Sequence, residues 1–140
     1  MIWYKKYSLQ DVNAILAKNM TSFLEITAVD ISDNALVATM PVTDRVKQPY
    51  GLLHGGASVV LAESVGSVAS ALIVNLEKFM VVGMEINANH IRAVKDGIVT
   101  ATCTPLHIGA SSHVWEIKIR NEQDKLVCIS RLTVAVLKKR

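Results

Sequence analysis

His54, Gly55 and Gly56 open the stretch GGASVVLAESVGSVASALIV, in which Glu63 is the only ionisable group between Gly55 and Val74. A carboxylate isolated among apolar neighbours is costly to keep unless something uses it, either as a nucleophile or to remove a proton. The glycine pair suits the other half of such chemistry. Unpaired backbone N–H groups at a helix N-terminus receive negative charge developing on an oxygen, and Gly55 and Gly56 have no side chain to cover them. The bland readings are a structural pairing of Glu63 with Arg131, a structural histidine at 54 and a flexible glycine loop.

The element carrying the carboxylate comes next, because twenty mostly apolar residues are also the length of a membrane span. Gly, Ala and Ser contribute as much to the run as Val, Leu and Ile, and a central acid costs about 2.5 to 3.5 kcal/mol on insertion. No membrane span is expected. A helix apolar on all sides is otherwise buried on all sides, and in 140 residues only a sheet wrapped around it could do that.

The remaining segments supply that sheet. Ser8 and Asp11 resemble a capping box, followed by Leu9, Val12, Ile15 and Leu16 at helical spacing, which predicts one short N-terminal helix ending near Asn19. Strands are expected over 25–31 and 35–42, joined at Ser32-Asp33-Asn34. After the apolar helix, 79–90 alternates with Met80, Val82, Met84, Ile86 and Ala88 on one face. Asp96-Gly97 reads as a hairpin turn into a strand over 98–106. Residues 112–120 set Trp115, Ile117 and Ile119 against Glu116, Lys118 and Arg120, and a strand over 126–137 closes the chain. Antiparallel neighbours are expected throughout.

Composition limits the function classes. With 51% hydrophobic residues and no linker-like segment, residues 1–140 read as one domain with a substantial core. A mean hydropathy of +0.33 favours further burial between subunits. The net charge of +3 is scattered and aromatics make up 5%, which argues against nucleic acid as partner. Cys103 and Cys128 suit neither a disulfide framework nor a metal site, and the start of the chain lacks a secretory signal, so a cytoplasmic setting is expected, with no metal and no cofactor.

Two strands, one apolar helix and four strands make an α+β domain, an antiparallel six-stranded sheet wrapped around a long central helix. At this point the chain resembles the hotdog-fold acyl-CoA thioesterases, in the group typified by Arthrobacter-type 4-hydroxybenzoyl-CoA thioesterase. QPYGLLHGGASVVLAESVGS and INANHIR carry the resemblance. It implies hydrolysis of a thioester, with an aromatic acyl group such as 1,4-dihydroxy-2-naphthoyl on CoA or an aryl carrier protein. It makes Glu63 the nucleophile or general base and Gly55 the N–H that polarises the carbonyl, with Gln48 and His54 beside them and Ser67 helping to steer attack. Ser64, Val68 and Met84 are expected to touch the acyl group.

For the CoA portion the resemblance points to His90 and Arg92 and to the turn with Gly109, Ser111 and Ser112; Ala110 stands where relatives often carry a basic side chain. Ser58, Ala62, Gly66 and Ser70, spaced by four, read as a small-residue seam for close packing. Gly55 and Glu63, eight residues apart, are separated by about 12 Å along a helix. That distance predicts a homodimer sharing its active sites between subunits, and the resemblance implies a dimer-of-dimers tetramer. A hotdog hydratase or dehydratase, which usually carries Pro-Gly where this chain has Gly-Gly, and a non-catalytic acyl-CoA-binding module are the alternatives.

Overall fold

The computed structural model describes all of residues 1–140. Two short helices, α1 (Leu9–Leu16) and α2 (Asn19–Phe23), precede the hairpin of β1 (Thr27–Ile31) and β2 (Leu36–Pro41). A long helix, α3 (Gly55–Ile73), follows, and then β3 (Phe79–His90), β4 (Ile98–Ile108), β5 (Ser112–Arg120) and β6 (Leu126–Lys138). The six strands form one antiparallel sheet in the order β1-β2-β4-β5-β6-β3. Helix α3 packs against β2 to β6, which is the α+β hotdog arrangement that the resemblance implies.

The capping box at Ser8 and Asp11 forms as the spacing requires, with the Ser8 hydroxyl accepting from the Asp11 N–H at 3.1 Å and the Asp11 carboxylate accepting from the Ser8 N–H at 2.8 Å. The single N-terminal helix is corrected to two. Asn19 takes φ of 56°, a left-handed conformation that breaks the run, and the Thr21 hydroxyl donates to Leu16 O at 2.6 Å, satisfying a carbonyl at the end of α1. Asn13 then ties α1 to β1 by exchanging two hydrogen bonds with the backbone of Ala28.

Two expectations about β3 fail for long-range reasons. A bulge between Gly83 and Glu85, which face Val134 and Thr133 of β6, leaves Met84 over and reverses the alternation. Val81 packs toward the core before the bulge, as do Ile86 and Ala88 after it, while Met80, Val82 and Met84 are exposed. The hairpin expected at Asp96-Gly97 is also absent, since β3 pairs only with β6 and β4 lies between β2 and β5. Residues 91–97 instead cross the end of the sheet, held where the Ile91 and Arg92 N–H groups donate to Val127 O and the Leu53 N–H donates to Val94 O.

Helix α3 is the one element long and apolar enough to cross a membrane, and it serves as the central helix of this sheet. Its burial is one-sided. Leu61, Ala62, Val65, Gly66, Ala69, Ser70 and Leu72 are buried against the strands. Gly56, Val60, Glu63, Ser67 and Ala71, at helical spacing, form a stripe that the sheet covers only in part. The strand on that flank, β3, is a twelve-residue sheet edge with no second strand beside it.

Candidate active site

The N-terminus of α3 is held by a histidine. His54 is the N-cap, its Nδ1 accepting from the Gly56 N–H at 2.8 Å while its own N–H donates to Val46 O at 2.8 Å. An imidazole accepting at Nδ1 is left with Nε2 as its donor, so this contact fixes which ring nitrogen faces the helix. The expectation of two uncovered N–H groups is thereby narrowed to one. Gly56 is capped, and the Gly55 N–H has no partner.

Gln48 reaches the same cleft as Gly55 through a tight loop. Its backbone N–H donates to Leu52 O at 2.8 Å, its carbonyl accepts from Gly51, and its side-chain oxygen accepts from the Tyr50 N–H. The Gln48 amide nitrogen is left to donate elsewhere. Across from it, the His90 imidazole lies flat enough against Gly55 that a Cβ there would fall 2.7 Å from Nε2. Gln48, Leu53, Gly55, Ser58, His90 and Arg92 line one cleft of about 330 Å³. The cleft thus brings Gln48 and Gly55, two of the residues expected at the carbonyl, together with His90 and Arg92, two of those expected at the CoA portion.

Glu63 is elsewhere in the same chain. It is half-buried on the open stripe of α3, two turns from Gly55, with Ser67 one turn further and Ser64 adjacent. Its carboxylate rests on Gly83 of β3, where a Cβ would fall 2.5 Å from Oε1. No cation neutralises it. Arg131, the candidate partner, is exposed on β6, where its backbone sits in register with Asn87 and Glu116, and it makes no ion pair. Strand contacts confirm the separation seen along the helix, since Gly55 meets the end of β3 and Glu63 meets its middle.

The third group sits at the far end of α3. Gly109, with its N–H donating to Ser112 O at 2.9 Å, and Ser111, whose carbonyl accepts from Val136 at 2.9 Å, shape a turn beside a cavity of about 510 Å³ that Ile73, Phe79 and His113 also line. Val68 is packed into the core, and Met84 projects from the edge strand, 67% exposed. Burial pushes the thiols of Cys103 and Cys128 up, so neither supplies a thiolate nucleophile.

Two residues of interest escaped the sequence reading. Gly83 was legible in principle, because a glycine inside a strand pattern marks a bulge or a close approach. His113, buried and edge-on to Trp115 at 6.4 Å and 89°, has an Nδ1 without a partner, and burial, with His107 nearby, holds its imidazole below the usual range. Nothing in the local pattern distinguishes it from a core residue.

Comparison with known proteins gives a concordant answer. A family model described as the thioesterase superfamily matches residues 50–128. The chain is 54% identical over 137 residues to the 1,4-dihydroxy-2-naphthoyl-CoA hydrolase of Escherichia coli, covering 98% of this chain and 100% of that one. It is 47% identical to the proofreading thioesterase EntH of Cronobacter sakazakii, covering 98% and 99%. Among solved structures, a mutant of thioesterase PA1618 from Pseudomonas aeruginosa superposes with a TM-score of 0.97 at 43% identity, covering 99% of this chain and 100% of that one. Thioesterase HI1161 from Haemophilus influenzae follows at a TM-score of 0.94 and 45% identity, with 99% and 96% covered.

Proposed function

This chain belongs to the thioesterase superfamily and is a thioester hydrolase, and on that premise we propose that it cleaves an aromatic acyl-CoA of the 1,4-dihydroxy-2-naphthoyl-CoA kind to free acid and CoA. The observation that carries the site assignment is Glu63, a half-buried carboxylate with no cation partner on a helix face that the sheet covers only in part. The named activity of the Escherichia coli relative supports the aromatic acyl group.

In this reading the thioester carbonyl oxygen accepts from the Gly55 N–H, the one unclaimed donor at the start of α3, and the Gln48 amide lies beside it. His54 holds the helix start in shape through its bond to Gly56. Glu63 then either attacks the carbonyl carbon and expels the CoA thiolate, giving a mixed anhydride that water opens to the free acid and the regenerated carboxylate, or takes a proton from a water that attacks the carbon. In the second route the C–S bond breaks as CoA leaves and is protonated to the thiol. Ser67 steers the attack, with Ser64 and Met84 toward the acyl group and Val68 packed behind them in the core. His90, Arg92 and the Gly109–Ser112 turn hold the CoA portion, where a guanidinium grips phosphate oxygens well.

Glu63 and Gly55 of one chain do not converge on one carbonyl, so the working unit is a homodimer. Antiparallel pairing across a two-fold axis would set the Gly55 end of one helix against Glu63 of the other and cover both the open stripe of α3 and the free edge of β3. It would also carry the Gly109 turn of one subunit toward His90 and Arg92 of the other. Two such dimers form the tetramer. Residues 1–140 form one domain in this reading, and the enzyme works in the cytoplasm, in keeping with two free, buried cysteines.

The substrate assignment is tested by kcat/KM across aromatic and aliphatic acyl-CoA and carrier-protein thioesters, following release of free thiol. The highest value is expected for a bicyclic aromatic acyl-CoA. A tenfold preference for an aliphatic acyl-CoA or for a carrier-protein thioester would contradict it.

A further inference from the structure

Gly83 is a costly choice for the middle of a strand, because glycine weakens strands and offers no side chain to pack. Its backbone does not demand it. The glycines with positive φ are Gly51 and Gly97, so Gly83 has a conformation open to any residue. What a side chain there would meet is Glu63, whose Oε1 lies 2.5 Å from where the Cβ would be, with Cδ at 3.5 Å, so the carboxylate would have to move. The bulge between Gly83 and Glu85 begins at the same residue, and bulges re-aim strands next to active sites.

We propose that Gly83 is a positioning residue for the Glu63 carboxylate: its bare backbone on the bulged edge strand is the seat that sets where Oε1 stands against the thioester carbonyl. The proposal rests on the reading of Glu63 as the catalytic carboxylate. A methyl group at 83 cannot coexist with the seated carboxylate, and the end of a glutamate side chain yields more easily than strand backbone does. Opening the contact from 2.5 Å to an ordinary 3.4 Å moves the oxygen by about 1 Å, a misplacement on the scale that can cost up to about a hundredfold in rate.

The test is Gly83→Ala, assayed for kcat, KM, melting temperature and assembly mass. The expected result is a fall in kcat of at least about tenfold, with KM within about threefold and with unchanged or higher thermal stability, since Ala favours a strand more than Gly. Shortening the acid should remove the conflict. In a Glu63→Asp background, adding Gly83→Ala should lower kcat by less than about twofold, a coupling that a purely structural role would not produce. Wild-type kcat in a folded Gly83→Ala, or equal losses in both backgrounds, would overturn the proposal, as would a loss that tracks a change in assembly mass. If Gly83→Ala does not fold, recovery of folding in Gly83→Ala/Glu63→Ala supports the steric conflict and continued failure overturns it. Full activity in Glu63→Gln would sink the reading of Glu63 itself, whereas an inactive Glu63→Gln beside a fully active Gly83→Ala sinks only the role of Gly83.

Discussion

The two sides of α3 are built from the same small and apolar residue types but have opposite fates. On the sheet side, Ser58, Ala62, Gly66 and Ser70 form the expected seam: a Cβ on Gly66 would fall 2.5 Å from Leu132 Cδ2, and the Ser70 hydroxyl accepts from Trp115 Nε1 at 2.7 Å. On the open side, Glu63 and Ser67 have no hydrogen-bond or ion-pair partner within the chain, and only the glycine at 83 makes room for the carboxylate. Composition therefore does not separate packing from chemistry along this helix. Unmet polar capacity does, because a buried polar group with a partner is structural and one facing an uncovered surface is available for work.

The strongest way to break this contrast is Glu63→Gln. The amide keeps the shape but neither attacks carbonyl carbon nor takes a proton, so kcat should fall by at least about a hundredfold with the fold intact. Turnover above a tenth of wild type would place the chemistry elsewhere. Next in size is Arg92→Ala, which should raise KM for CoA thioesters by about tenfold yet hardly affect a pantetheine thioester lacking the nucleotide phosphates. Equal losses on both would remove Arg92 from the phosphate site.

A matched pair of serines sharpens the comparison. Ser70→Ala leaves the buried Trp115 N–H without an acceptor and should cost about 1 to 3 kcal/mol of stability with little change in kcat. Ser67→Ala, one turn away, should do the reverse, lowering kcat severalfold at unchanged stability. Denaturant melts beside steady-state assays read both, and identical profiles for the two variants would erase the distinction between the faces.

The smallest effect concerns His113. Burial, aided by His107, holds its folded pKa below the usual histidine range, so the unfolded chain binds more protons as acid is added. Its contribution to stability is therefore present above about pH 6.5 and lost as the pH falls through the folded pKa. Stability measured from pH 7.5 to 5 should decline in the wild type and less steeply in His113→Gln. Parallel curves would mean that His113 titrates alike in both states.

Local patterning made much of this legible. Periodicity placed β3 and β5 at their observed bounds, the capping box placed the start of α1, and the lone acid marked Glu63. What escaped depended on distant partners. A single extra residue at Met84 shifts the phase of β3, and no alternation pattern reveals it before the β6 register is known. The Asp96-Gly97 signal described a real bend, with Gly97 at positive φ, but only strand order shows that it does not join neighbours. His54 as a cap was hidden because imidazole is not among the side chains usually read as N-caps, so the claim it makes on the Gly56 N–H passed unnoticed.

The central claim is that the two halves of the site, Gln48, His54 and Gly55 in one chain and Glu63 in another, work only together. Mixing inactive Glu63→Ala with inactive Gln48→Ala/His54→Ala and refolding them together puts both lesions into one site of the heterodimer and leaves the other intact. The account predicts recovery of up to about half the wild-type specific activity per heterodimer if the sites act independently. Heterodimers verified by differential tagging that regain no activity, or a wild-type monomer that hydrolyses the thioester on its own, would contradict it.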